Sequence, residues 1–221
     1  MASTEDDLFA SIAASNVRGV RALLEEQPWL ATDRDEDGVS ALMRARYQMD
    51  RGLVAAVREH VEALDVFEAA AFGDLDRLSE LFAADPDLVD ATSGDGFTPL
   101  HLAAFFGQTD AVRLLLARGA TPDERGQGWM TGTPLSAAAA GGHTGIVLLL
   151  LEVGADPNVQ QAQGFTPLHA AAQNADLEAV RALLDAGADP TIVTEDGVTA
   201  IELAEQAGDL VTVETLRDAL G

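Results

Sequence analysis

Two segments of this 221-residue chain follow nearly the same pattern. GFTPLHLAAFFGQTDAVRLLLARGA spans residues 96–120, and GFTPLHAAAQNADLEAVRALLDAGA spans residues 164–188. Two weaker copies lie between and after them, so that Thr98, Thr133, Thr166 and Thr199 recur at intervals of 35, 33 and 33 residues. A fixed period of this length predicts a stack of similar structural units, each burying its apolar face against its neighbours.

Each copy carries the signals that start a helix. Proline is favoured at the first helical position, as Pro99 would be, and the Thr98 hydroxyl can accept a hydrogen bond from a free amide of the first turn. In the last copy, Thr199 and Glu202 form a capping box without proline or histidine. Three of the four Thr-Pro-Leu-His positions are therefore interpreted as structural. Spacings of i, i+3, i+4 and i+7 place mostly small residues on one face, which lets neighbouring helices approach closely: Leu100, Ala103, Ala104 and Gly107.

The period and motifs resemble those of the ankyrin-repeat family, most clearly in DGFTPLHLAAFFG at residues 95–107 and LLLEVGADPN at residues 149–158. The resemblance implies an all-α solenoid of about seven stacked helix-turn-helix units, with β-turn or hairpin fingers. The N-terminal half fits at an offset of 58 residues, since Pro28 matches Pro86 and Gly38 matches Gly96. Inner helices are expected to begin near Thr4, Ser40, Leu64, Thr98, Thr133, Thr166 and Thr199.

The spacing of these starts divides the chain into two domains. From Ser40 to Leu64 there are only 24 residues, fewer than the roughly 33 of an ankyrin repeat. The second unit should therefore lack a finger, and the chain after His60 should pass almost directly into the third inner helix. We expect degenerate units in residues 1–62 and regular repeats in residues 63–221, with a C-terminal cap from about residue 196. The second block is expected to fold alone.

Composition excludes several function classes. The formal charge of −24 opposes phosphate contacts with nucleic acid or an anionic membrane and would attract a basic partner surface. The same acidity can also serve solubility alone. The chain has no lysine and no cysteine, which excludes Schiff-base, thiolate and zinc-thiolate chemistry. The N-terminus lacks a secretory signal and the longest apolar run is six residues, so we expect a cytoplasmic monomer.

We do not expect the four histidines to form a catalytic or metal site. His101 and His169 hold the same motif position two units apart, which at 8–10 Å per packed helix separates them by roughly 20 Å. They cannot share a metal ion. His60 and His143 have no second ligand at helical spacing. The expected role is a hydrogen bond that ties one repeat to the next turn, and no catalytic residue, metal or cofactor is expected.

A cluster of arginines departs from the general acidity. Arg44, Arg46, Arg51 and Arg58 lie in the short second unit, and the spacing of Arg44, Tyr47 and Arg51 would place them on one face if a single helix continued that far. One interpretation is a small anion site. The other, which we favour because arginines beside dense carboxylates usually pair with them, is pairing with the preceding turn at Asp33, Asp35, Glu36 and Asp37.

The family resemblance implies a non-catalytic protein-binding module that uses its concave finger and inner-helix surface. The alternatives are a chaperone-like or scaffold role, and an enzyme or small-ligand protein, which would need a deep pocket with convergent polar groups. The variable positions that face a partner in the family fall here on Phe97, Phe105, Phe106, Trp129, Met130 and Phe165.

Five of these six residues are aromatic, in a chain with only eight phenylalanines, two tryptophans and one tyrosine. Aromatic anchors often carry interface energy. Replacement of Trp129 or Phe105 by alanine is therefore expected to weaken binding by about 1–3 kcal/mol. The competing interpretation is that Phe105, Phe106 and Phe165 pack against neighbouring repeats.

Overall fold

A computed structural model of the protein describes residues 4–127 and 131–221, and these residues form α-helices in seven consecutive pairs. The seven pairs confirm the all-α repeat architecture and the expected helix starts. In chain order the pairs are α1 (Thr4–Ala13) and α2 (Val17–Glu26), α3 (Ala41–Tyr47) and α4 (Arg51–Arg58), α5 (Val66–Phe72) and α6 (Leu75–Ala84), α7 (Pro99–Phe105) and α8 (Thr109–Ala117), α9 (Pro134–Ala140) and α10 (Thr144–Glu152), α11 (Pro167–Gln173) and α12 (Leu177–Asp185), and α13 (Ala200–Ala207) and α14 (Leu210–Asp218).

The first helix of each pair is called inner and the second outer, and the inner helices start as the sequence predicts. Thr98 caps α7 by accepting a hydrogen bond from the His101 amide, and Thr133 caps α9 in the same way. Thr199 and Glu202 form the expected capping box at α13. These contacts satisfy amides that a helix start leaves without an intrahelical partner.

The turn inside every pair reverses the chain with one left-handed residue. This residue always stands two positions before the outer helix. It is glycine in four pairs, at positions 73, 107, 142 and 208, but Ser15, Met49 and Ala175 in the other three, with φ of 52°, 56° and 53°. Only glycine adopts this conformation without a steric penalty, so three turns hold a strained residue.

The N-terminal half follows the predicted 58-residue offset. Pro28–Thr32 and Pro86–Asp90 both form five-residue 3-10 helices directly after an outer helix. The second pair is short as expected, because α4 ends at Arg58 and α5 begins at Val66. A hydrogen-bonded ion pair of 2.6 Å between Arg34 Nη2 and Asp65 Oδ2 holds this short connection.

The chain forms two compact units. The first contains the residues up to Glu68 together with Ser93–Asp95, and the second contains Ala69–Thr92 and Gly96–Gly221. In the first unit α1 packs on α3 and α2 on α4. The first unit extends to Glu68, and both the expected domain boundary at residue 62 and the independent folding of residues 63–221 stay predictions.

Small residues determine how the inner helices of the second unit pack. Helix α7 contacts α9, α9 contacts α11, and α11 contacts α13, while the outer helices α8, α10, α12 and α14 form a parallel series. Ala103, Ala104, Ala137 and Ala138 are all buried between them. The small alanine side chains allow the backbones of neighbouring inner helices to approach closely. The C-terminal ends of successive inner helices therefore lie side by side, and so do the fingers that connect successive pairs.

Candidate functional site

The buried His101 links two successive repeats. Its Nδ1 accepts a 3.3 Å hydrogen bond from the Thr98 backbone N–H, and its Nε2–H donates to the Gly132 carbonyl at 3.2 Å. This pattern requires the neutral imidazole with the proton on Nε2. Burial lowers the pKa of His101 to about 4 because a buried cation loses its hydration. The predicted structural role of this histidine is confirmed.

His169 repeats the arrangement in the sixth pair. Its Nδ1 accepts from the Thr166 N–H at 3.2 Å, its Nε2 contacts the Val198 carbonyl at 3.2 Å, and burial likewise lowers its pKa. Within residues 4–127 and 131–221, no group of three histidine, cysteine, aspartate or glutamate side chains could hold a metal ion. The Thr-Pro-Leu-His motif therefore builds the repeat interface.

The predicted binding residues differ in their exposure. Phe97 is 2% exposed and Phe106 is 8% exposed, so both have little surface to offer a partner. Phe105 and Phe165 are only partly buried. Trp129 and Met130 lie outside the described residues, and their contribution to binding stays a prediction.

Phe105 and Phe165 line one cavity in the second unit. The cavity has a volume of about 340 Å³, and its wall also includes Ala140, Gln161 and Gln173. Phe105, Ala140 and Gln173 each stand seven positions after a helix-capping threonine, at the ends of α7, α9 and α11. The repeat thus brings equivalent positions of three inner helices to a single opening.

The finger of the sixth pair forms the other side of this cavity. It contributes Gln161, Gln163 and Phe165, and Gln163 has a positive φ of 62°. The Glu195 backbone N–H from the next finger donates to the Gln163 carbonyl at 2.8 Å. The side chains of Glu195 and Asp196 are exposed, so carboxylates stand on the finger adjacent to the aromatic cavity.

Sequence reasoning missed the glutamines of this cavity. Gln173 occupies the repeat position of Phe105, and writing the repeats in register would have identified it. Gln161 and Gln163 belong to a finger whose backbone differs from the others, because Gln163 takes the left-handed conformation. No repeat pattern specifies that conformation for a glutamine, so the sequence held no signal for these two residues.

Arg44 of the arginine cluster pairs with carboxylates of the preceding turn. Arg44 contacts Asp35 through Nε and Asp37 Oδ2 through Nη2 at 2.7 Å, which confirms the predicted pairing for this residue. The condition under which Arg44, Tyr47 and Arg51 would share one helical face, a single continuous helix, is not met. Helix α3 ends at Tyr47, and Asp50 caps a separate helix α4.

The other three arginines of the cluster lie around a second cavity. Arg46 at the end of α3 and Arg51 and Arg58 on α4 line a space of about 410 Å³. Arg58 Nη1 also donates to the Val61 carbonyl at 2.7 Å. All residues of this cavity belong to the first unit.

Comparison with known proteins identifies the repeats. A family model described as ankyrin repeats, three copies, matches residues 66–161 and again residues 135–220. In the part of the chain that the structure describes, no helix has both the length and the apolar character needed to cross a membrane.

Individual relatives match over short stretches only. The chain is 48% identical over 60 residues to the E3 ubiquitin-protein ligase XB3 of Oryza sativa subsp. japonica, which covers 27% of this chain and 13% of that protein. It is 39% identical over 69 residues to the human DNA-binding protein RFXANK, covering 31% of this chain and 26% of that protein. The matched part of the chain thus corresponds to only 13% and 26% of the full lengths of these two relatives.

Proposed function

The chain belongs to the ankyrin-repeat family, and we propose that its second unit binds a protein partner on the surface that carries Phe105 and Phe165. Repeats of this family are generally protein–protein interaction modules. The observation that carries the proposal is that two partly exposed phenylalanines from different repeats line one cavity. Partly exposed aromatic side chains at a cavity are common anchors of interfaces.

The chemistry of the cavity defines the partner segment that would fit. Phe105 and Phe165 offer apolar surface to an aliphatic or aromatic side chain. Gln161 and Gln173 can both donate and accept hydrogen bonds through their amides, which suits the backbone of an extended segment. Buried apolar contact surrounded by satisfiable polar groups is the usual composition of an interface.

The charge near the cavity favours a basic partner. The exposed carboxylates of Glu195 and Asp196 lie on the finger that hydrogen-bonds to Gln163, and the whole chain carries a formal charge of −24. Complementary charge raises association rates and adds specificity. The proposed partner therefore presents an apolar residue flanked by arginine or lysine.

Binding without catalysis fits the same groups. The polar side chains of the cavity are glutamine amides, which do not ionise near physiological pH and therefore do not act as general acids or bases. The excess of acidic residues also disfavours nucleic acid as the partner, since most nucleic-acid affinity comes from cationic contacts to phosphate. We therefore propose a non-catalytic protein-binding module.

Comparative capture from the cells that make this protein tests the proposal. Tagged full-length chain, the Phe105→Ala/Phe165→Ala double variant and a Leu210→Ala control would be used as baits. Leu210 is 78% exposed on the outer helix α14, so its truncation removes apolar surface away from the cavity. We expect the wild type and the control to retain a protein that the double variant loses. Capture of the same proteins by all three baits would contradict the proposed surface.

A further inference from the structure

The second cavity of the molecule gathers positive charge in a strongly acidic chain. It lies in the first unit, between the end of α3 and one face of α4, and has a volume of about 410 Å³. Arg51 and Arg58 are seven residues apart on α4, so they project from the same face two helical turns apart. Arg46 comes from α3 and lines the same space.

Two of these guanidinium groups have no carboxylate partner within the part of the chain that the structure describes. Arg51 and Arg58 make no ion pair there, whereas Arg21, Arg34 and Arg44 of the same unit each have a carboxylate within 4.0 Å. The hydrogen bond from Arg58 Nη1 to the Val61 carbonyl fixes one edge of its guanidinium. Within residues 4–127 and 131–221 its other donors make no hydrogen bond, so a ligand can accept from them.

The single carboxylate of the cavity wall, that of Asp50, already caps helix α4. Asp50 Oδ1 accepts from the Gly52 and Leu53 amides at 2.7 and 3.3 Å. Three guanidinium groups and this carboxylate leave two net positive charges on the wall. A phosphate monoester carries −1.5 to −2 at neutral pH, whereas a simple carboxylate carries −1, so a phosphate group matches the wall better.

The rest of the wall is apolar. Met49 is 68% exposed, and its side chain and that of Val54 line the cavity beside the arginines. A volume of about 410 Å³ falls within the size range of small-molecule sites and exceeds what a bare phosphate ion needs. The organic part of an ester can occupy the remaining space against Met49 and Val54.

From this arrangement we infer that the cavity between α3 and α4 is a binding site for a small phosphate monoester, held by Arg46, Arg51 and Arg58. Guanidinium groups bind phosphate oxygens through paired hydrogen bonds, which makes arginine well suited to this task. Burial lowers the pKa of Arg46, and a bound anion would offset that loss of hydration. The site uses residues of the first unit only, so it stands independently of the proposed protein-binding surface.

Calorimetric titration of the full chain tests the inference with phenyl phosphate, inorganic phosphate and benzoate at constant ionic strength. Phenyl phosphate should bind most tightly, inorganic phosphate at least threefold more weakly because it leaves the apolar wall uncovered, and benzoate at least tenfold more weakly because it carries one charge. Affinity for phenyl phosphate should also fall between pH 7.5 and pH 5, where the dianion takes up a proton.

Charge-matched variants separate the site from general electrostatics. Arg51→Gln and Arg58→Gln should each reduce phenyl phosphate affinity at least tenfold. Arg181→Gln removes the same charge from an exposed position on the outer helix α12 of the second unit and should change affinity less than twofold. Circular dichroism would show that each variant keeps its helices. No saturable binding of phenyl phosphate, or equal losses in Arg51→Gln and Arg181→Gln, would overturn the inference.

Discussion

The imidazole of His101 uses both ring nitrogens to join two repeats. Nδ1 accepts from the Thr98 amide at the start of its own helix α7, and Nε2–H donates to the Gly132 carbonyl of the next finger. A buried polar group left without such partners would cost about 1–3 kcal/mol. In the fifth pair Ser136 stands at the position of His101, and it contacts Thr133 at the start of its own helix.

The depressed pKa of His101 predicts a pH-dependent loss of stability. The unfolded chain binds a proton to this residue near pH 6.5, while the folded chain resists protonation down to about pH 4. The unfolded state therefore holds more protons in this window, so stability is complete above pH 6.5 and decreases as the pH falls towards 4. The loss from His101 is on the order of 3 kcal/mol, and His169 adds to it in the same direction.

Urea unfolding at several pH values between 7.5 and 4.5 would measure this effect. His101→Gln should be less stable than the wild type at pH 7.5, because Gly132 and Thr98 lose their partner. The gap should narrow as the pH falls, since glutamine does not titrate. A gap between the two proteins that stays constant over the whole range would show that His101 does not take up its proton as inferred.

The phenylalanines show that the sequence predicts the position of a residue in the repeat but not its burial. The repeat register places Phe97, Phe105, Phe106 and Phe165 near fingers and inner-helix ends, and the structure finds them there. The register does not specify how far each side chain is buried. Phe97 and Phe106 are buried, whereas Phe105 and Phe165 are partly exposed. The burial of a phenylalanine depends on the side chains packed around it, such as His101, whose ring centroid lies 5.9 Å from that of Phe97. A one-dimensional pattern does not contain these neighbours.

At the level of helices, each pair needs a left-handed residue before its outer helix. Ala175 fills this position between α11 and α12 with φ of 53° and is exposed. The left-handed conformation costs an L-residue roughly 1–2 kcal/mol, which glycine avoids, although glycine loses more backbone entropy on folding. We expect Ala175→Gly to stabilise the protein by about 0.5–1 kcal/mol.

An alanine-to-glycine substitution inside a helix provides the control. Ala182 lies within α12 with ordinary helical geometry, and Ala182→Gly should destabilise by about 1 kcal/mol. Denaturant unfolding of both variants against the wild type measures the two effects. If Ala175→Gly were as destabilising as Ala182→Gly, the turn would not carry the strain that its φ indicates.

Helix boundaries explain why Arg44, Tyr47 and Arg51 do not share one helical face. The spacing of Arg44, Tyr47 and Arg51 suits one continuous helix, but Asp50 accepts hydrogen bonds from the first amides of α4 and starts a new one. Tyr47 instead donates to Asp95 Oδ2 at 2.7 Å. Burial, together with the negative charge of Asp95, raises the pKa of Tyr47. The capping potential of Asp50 is visible in the sequence, whereas the partner of Tyr47, 48 residues away, is not.

At the scale of the whole molecule, the repeat period predicted the seven helix pairs because each interface repeats one local pattern. It also predicted the short connection before α5, which begins at Val66. The two cavities could not be predicted in the same way. Each depends on how positions from two or more elements converge, and in one case on the unusual backbone of Gln163.

Truncation tests whether the regular repeats are a separate folding unit. Stability in repeat proteins comes mainly from contacts between neighbouring repeats, so residues 63–221 should keep enough interfaces to fold. This fragment retains the mutual hydrogen bonds of Asp65 and Glu68 that start α5. It loses the 2.6 Å hydrogen bond from Ser40 to Glu68. We expect a helical circular dichroism spectrum and a cooperative thermal transition.

An unfolded fragment, under conditions in which the full chain is folded, would contradict the expected domain boundary. A second fragment that begins at residue 96 offers a comparison, because it removes one further helix pair. It should remain helical but melt at a lower temperature than residues 63–221, as expected when an interface is lost from a stack.

Phe105 and Phe165 are proposed to form a protein-binding surface. The most direct test is the dissociation constant of a captured partner for the wild type, Phe105→Ala, Phe165→Ala and the Leu210→Ala control, with the melting temperature of each. We expect each phenylalanine variant to weaken binding by about 1–3 kcal/mol, with a melting temperature close to that of the wild type, while Leu210→Ala binds normally. Unchanged affinity in both phenylalanine variants, or loss of affinity only where the protein unfolds, would contradict it.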